Sequence, residues 1–114
     1  VTAAVLHDIG IHAAERKYGS TSGSYQEKEG PAPARDILTS LGYAEDVIER
    51  VCFLIAHHHT YHDIDGLDYQ ILLEADFLVN AYEDQLGKDA IRQFCQRVFR
   101  TASGIRLLKE TFDI

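Results

Sequence analysis

Three apolar runs with helical spacing each carry residues that an apolar interior cannot hold alone. Thr2-Ala3-Ala4-Val5-Leu6 passes directly into His7-Asp8 and then Ile9-Gly10. Val51-Cys52-Phe53-Leu54-Ile55-Ala56 ends in His57-His58-His59, and Asp76 lies inside Ile71-Leu72-Leu73-Glu74-Ala75-Asp76-Phe77-Leu78-Val79. Burying an unpaired carboxylate costs on the order of several kcal/mol, so such a group usually keeps a cation beside it. Imidazole and carboxylate brought out of packed helical faces are the material of a metal site in an all-α protein.

The rest of the chain agrees with helices throughout. Residues 1 to 8 read as a helix end, with Gly10 as its stop. Residues 11 to 18 read as a short helix or turn, and Gly19-Ser20-Thr21-Ser22-Gly23-Ser24 as a polar loop or lid. Pro31 and Pro33 suit the first turn of a helix carrying Ala34, Ile37, Leu38 and Leu41, closed by Gly42. A helix over 44 to 58 turns Val47, Val51, Leu54 and Ile55 to one face, with Glu45 and Asp46 where the dipole favours them. After a polar turn from Tyr61 to Gly66, helices are predicted over Leu67 to Leu86, stopped by Gly87, and over Lys88 to Thr101. Gly104 is read as an interruption before a last short helix with Ile105, Leu107, Leu108 and Phe112. Strand alternation, internal repeats and low-complexity tracts are absent.

Bulk properties narrow the function. The 114 residues suit one domain with a modest core. A net charge of -7 argues against general nucleic-acid binding, which needs a basic face. A small anionic substrate is compatible with that charge only where metal ions supply positive charge. Cys52 and Cys95 sit in apolar helical patterns and read as reduced core thiols of a cytoplasmic protein. No segment has the length and apolarity of a membrane span or a signal peptide. The start at Val1, in mid-pattern, predicts an N-terminally truncated first helix.

Neutral imidazole with carboxylate suits Mn, Fe, Zn, Co or Ni better than an all-oxygen calcium cage. His7 and Asp8 would point about 100° apart in a regular helix, so both reach one ion only where the helix loosens. Taken singly, Asp76 also reads as an arginine partner and the histidine triplet as a solvated helix end.

Ala3-Ala4-Val5-Leu6-His7-Asp8-Ile9-Gly10 resembles the signature of the HD-domain metal-dependent phosphohydrolases. Gly30-Pro31-Ala32-Pro33-Ala34-Arg35-Asp36-Ile37-Leu38 resembles that family's following helix. Ile55-Ala56-His57-His58-His59 resembles its paired-histidine helix end, and Glu74-Ala75-Asp76-Phe77-Leu78-Val79 its segment with the second aspartate. The four segments occur in the family's order over about residues 1 to 85, leaving helices at 88 to 112 as an addition. The resemblance implies a single all-α domain, an HD-like orthogonal helix bundle, with His7, Asp8 and Asp76 as ligands of a divalent metal (Mn, Fe, Mg, Zn, Co or Ni). The histidine register stays open: His58-His59 fits the spacing from Ile55 best, and His57-His58 nearly as well. These histidines and Glu29 are candidates for a second ion or for the substrate pocket. His12 and His62 read as surface residues.

The chain departs from the family in three places. The family's first ligand histidine lies a few tens of residues before the His-Asp pair, and only six residues precede His7. Members with two metals carry a histidine where Gln26 stands, with Glu27 and Glu29 as nearby carboxylates. Many carry a lysine where Ile11 stands, which leaves Arg16, Lys17 and Lys28 as candidate phosphate contacts. The implied activity is hydrolysis of a phosphoester, on a nucleotide or related small metabolite, by a metal-activated water, with Asp8 or Glu27 taking the proton. The alternative is a catalytically inactive helical module that binds a nucleotide or a protein. No membrane partner is expected, and an oligomer is compatible with the amphipathic helices after Lys88.

Overall fold

The computed structural model describes Val1–Ile114 as eight α-helices with no strand. The helices gather into two compact units, Val1–Thr60 and Tyr61–Ile114. No helix is long and apolar enough to cross a membrane.

The first unit holds α1 (Thr2–Leu6), α2 (Ile11–Tyr18), α3 (Gly23–Glu29), α4 (Pro31–Ser40) and α5 (Glu45–His57). Helix α5 is its centre, packed against α4, α1 and α3. Its buried face is Ile48, Val51, Cys52, Leu54 and Ile55, closed against Ala34 and Leu38 of α4. Ile48 takes the place expected of Val47, which is exposed. Pro31 starts α4 directly after Gly30, its missing N–H falling where a helix start has no acceptor for one.

Helix α3 is absent from the sequence reading, which ran a loop into it. Among its seven residues, Gly-Ser-Tyr-Gln-Glu-Lys-Glu, only Tyr25 is apolar, so no periodicity marks it. Packing supports it instead. Gly10 lies against the α3–α4 junction, where a Cβ would come within 2.7 Å of the Gln26 carbonyl and the Gly30 nitrogen. Gly10 is therefore small to admit a crossing backbone; its φ of -80° needs no glycine.

The second unit holds α6 (Leu67–Glu83), α7 (Lys88–Val98) and α8 (Ala102–Phe112). Its core is Ala81, Ile91, Phe94, Val98, Phe99 and Leu108. Phe77 stacks on Phe94 at 3.8 Å between ring centres, and Phe99 meets both edge-on. Three boundaries differ from expectation. Helix α6 stops before Leu86, Gly87 is the residue preceding α7, and α7 ends before Thr101, which instead caps α8.

Gly104 does not interrupt a helix; it lies inside α8. A side chain there would run into the Glu74 carboxylate. Glu74 is 2 % exposed and fully employed. Its Oε2 accepts from Gln70 Nε2 at 2.6 Å, Arg100 N at 2.8 Å and Thr101 N at 3.1 Å, and its Oε1 from the Thr101 hydroxyl. Thr101 Oγ1 in turn accepts from Gly104 N at 3.0 Å. One buried carboxylate thus organises the start of α8. Burial alone would raise its pKa, but the bonds from Thr101, Arg100 and Gln70 outweigh burial and lower it.

Candidate metal centre

Helix α1 ends at Leu6, and the chain tightens through two turns, Ile9 N to Leu6 O at 3.0 Å and Ile11 N to Asp8 O at 3.1 Å. This loosened end sets the adjacent side chains together: His7 Nε2 lies 3.2 Å from Asp8 Oδ2. His7 Nδ1 lies 2.7 Å from the Ala4 carbonyl, which can only accept, so Nδ1 carries a proton and, in the neutral ring, Nε2 holds the lone pair.

The second histidine comes from the end of α5. His58 is fully buried, and its Nδ1 lies 2.6 Å from the Ile55 carbonyl. The same argument leaves its lone pair on Nε2, 3.8 Å from Asp8 Oδ1. Each oxygen of Asp8 is therefore faced by an imidazole Nε2. In the neutral rings such a lone pair and a carboxylate oxygen repel unless a proton or a metal ion lies between them. With metal–nitrogen and metal–oxygen distances of about 2.0–2.2 Å, two ligands of a tetrahedral ion stand roughly 3.4 Å apart. The two separations bracket that value, and Asp8, half exposed, leaves the centre open to solvent.

His59 completes the group. Its ring centre lies 4.1 Å from that of His58. Ligand atoms of Asp8, His58 and His59 all fall within 4.8 Å of one another, close enough for one ion. Of the triplet, His58 and His59 are the two grouped with Asp8. His57, the last residue of α5, places Nδ1 2.7 Å from the Phe53 carbonyl and stacks its ring on Phe53 at 4.1 Å.

Glu27 Oε2 accepts from His59 N at 3.0 Å and from the Thr60 hydroxyl at 2.8 Å, so it pins the chain where it carries the histidine pair. Glu29 accepts from the Tyr18 hydroxyl at 2.9 Å and Lys17 Nζ at 3.4 Å. The Tyr18 bond lowers its pKa against burial, with help from Lys17 and Lys28. Lys28 Nζ also sits 5.7 Å over the Tyr18 ring, which stacks on Tyr25. Arg16 is exposed on α2 beside His12 and Glu15. His62 is exposed and lies next to Asp63. Asp76 belongs to the second unit, on α6, where its Oδ2 accepts from Asn80 Nδ2 at 3.1 Å one turn later.

Three residues escaped the sequence reading as contributors: Gln26, Thr60 and Gly23. Gln26 entered only as a departure from the family, yet its Oε1 lies 3.1 Å from His59 Nε2. Glu74, seen only inside a matched segment, is the polar anchor of its own unit. Comparison with protein-family models, with curated proteins and with solved structures finds no match to this chain.

Proposed function

We propose that this chain is a metal-dependent phosphohydrolase of the HD-domain type, cleaving a phosphoester of a nucleotide or small phosphorylated metabolite. One observation carries the reading: Asp8 lies between two imidazoles whose Nε2 atoms face its two oxygens at 3.2 Å and 3.8 Å, with His59 beside them. A structural ion pair alone would not call for the pairing of His58 and His59 beside the same carboxylate. His7, Asp8, His58 and His59 are the residues that would hold a divalent cation, and the sequence resemblance adds Asp76. A metal so bound would lower the pKa of water and offset the charge of the phosphoryl oxygens.

The chain's own groups do the rest. The carbonyls of Ala4 and Ile55 fix which nitrogen each imidazole presents. Glu27 holds the His59 N–H and the Thr60 hydroxyl in register with them. Asp8, open to solvent, takes the proton that the attacking water gives up. The two free cysteines accord with a reducing, cytoplasmic setting.

The test is element-resolved metal content of the purified chain, beside Asp8→Ala, followed by a phosphoesterase panel spanning nucleoside mono-, di- and triphosphates and cyclic nucleotides. Bound transition metal lost in the variant, with a metal-dependent hit on the panel, supports the reading. No metal after reconstitution with Mn or Fe sinks it. A second reading has one observation in its favour. Lys17 and Lys28, two of the candidate phosphate contacts, are engaged at Glu29 and Tyr18. A helical module that keeps the cation and binds a nucleotide or protein without turnover would bind metal and fail the whole panel.

A further inference from the structure

Two of the three imidazoles near Asp8 share a pattern. His7 gives Nδ1–H to the Ala4 carbonyl and His58 gives Nδ1–H to the Ile55 carbonyl. His59 differs: its partner is a side chain, and the nitrogen engaged is Nε2. Gln26 is buried on α3, and its amide orientation is determined. Gln26 Nε2 donates to the Thr21 carbonyl at 2.6 Å, so Oε1 is the end that meets His59 Nε2. An amide oxygen only accepts, so that nitrogen must carry the proton.

Helix α3 shapes this contact at three points. Gly23 faces the His59 ring, where a Cβ would come within 2.7 Å of His59 Cβ and Cγ. Gln26, nearly one turn later, takes the ring nitrogen, and Glu27 takes the backbone N–H of the same residue. The ring is held by its position, its edge and its main chain. Thr21, whose carbonyl orients Gln26, lies in the segment between α2 and α3.

We infer that Gln26 is a positioning residue that keeps His59 as the Nε2–H tautomer, so that Nδ1 is the atom His59 offers to a divalent cation beside Asp8 and His58. The inference rests on the reading that this group of side chains holds a cation. It adds that the histidine pair is mixed, with His58 ligating through Nε2 and His59 through Nδ1. It also makes Gln26 the residue that decides this. An outer partner of a metal-bound histidine fixes its ring and tautomer, and losing it weakens metal binding about 10–100-fold.

The experiment is ¹⁵N NMR of the histidine side chains in the metal-free chain, then a zinc titration of the wild type, Gln26→Leu and Gln26→Glu. In the metal-free wild type, His59 is expected with Nε2 protonated and Nδ1 bare, and zinc is expected to shift Nδ1. Gln26→Leu, similar in volume but without an acceptor, should mix the tautomers and weaken zinc about 10–100-fold. Gln26→Glu restores an acceptor for His59 while giving up the bond to Thr21, and should return His59 to the Nε2–H tautomer in the ¹⁵N spectrum, a rescue that a packing role alone would not give. A wild-type His59 protonated on Nδ1, zinc shifting Nε2 instead, or undiminished affinity in Gln26→Leu overturns the inference. The wild-type spectrum needs no variant to fold. Absence of zinc binding by the wild type overturns the metal reading itself, and the tautomer is read separately from it.

Discussion

Asp8 Oδ1 stands 3.8 Å from Nε2 of the fully buried His58, although fifty residues of chain separate them. The distance is too long for a hydrogen bond and suits two ligands of one cation. Asp8→Ala should therefore bind metal far more weakly, by more than the roughly 10–100-fold that loss of an outer partner costs. Phosphoester hydrolysis should fall to background with it. Metal analysis and the panel assay check both, and turnover at the wild-type rate in Asp8→Ala would refute the mechanism.

The histidine triplet gives a sharper contrast. His58→Ala should remove bound metal, because the buried nitrogen facing Asp8 is lost. His57→Ala should keep it and lose only about 1 kcal/mol of stability from the ring stacked on Phe53. Parallel metal titrations and thermal melts separate the two. Equal metal loss in both variants would contradict the assignment of His58-His59 as the pair.

Asp76→Ala tests what the resemblance adds from the second unit. The expected result is reduced metal content with an intact helical circular-dichroism spectrum. Its carboxylate accepts from Asn80 on the same helix, a short-range bond whose loss leaves the helix standing. Full metal occupancy in this variant would remove Asp76 from the ligand set.

Glu74 predicts an acid-sensitive fold. Its pKa is lowered in the folded chain, because the bonds from Thr101, Arg100 and Gln70 outweigh burial. A depressed folded pKa contributes stability that is present above the unfolded value of about 4.3. That stability is lost as pH falls through the folded value. Glu74→Gln should cost about 2–3 kcal/mol at neutral pH, since a neutral amide cannot reproduce the bonds that both carboxylate oxygens accept. The gap between variant and wild type should narrow below about pH 4. Urea unfolding at pH 7 and at acid pH measures it, and a constant gap would count against this account.

How far the sequence discloses the structure depends on whether apolar periodicity marks an element. Helices α4 to α7 announce themselves through Leu38, Val51, Leu73 and Phe94 at helical spacing, and Pro31 marks its start. Helix α3 offers one apolar residue, and Gln26, through Thr21 and His59, supplies what periodicity does not. His7-Asp8 was legible because two polar ligand types close an apolar run. The choice between His57 and His59 as the partner of His58 was less so, because it turns on where α5 ends. Only the residues just past His57 leave the helical track toward Asp8. Gly104 was misread because a helix-interior glycine ordinarily costs about 1 kcal/mol. The compensating contact with Glu74 comes from thirty positions upstream.

That contact makes positions 74 and 104 a single unit of mutational change. Gly104→Ala alone pushes a methyl group into a carboxylate that cannot withdraw without abandoning Arg100 and Thr101. A shorter acid at 74 would make room for the methyl group. Gly104→Ala should therefore be better tolerated beside Glu74→Asp than alone. Drift at either site is permitted only in step with the other.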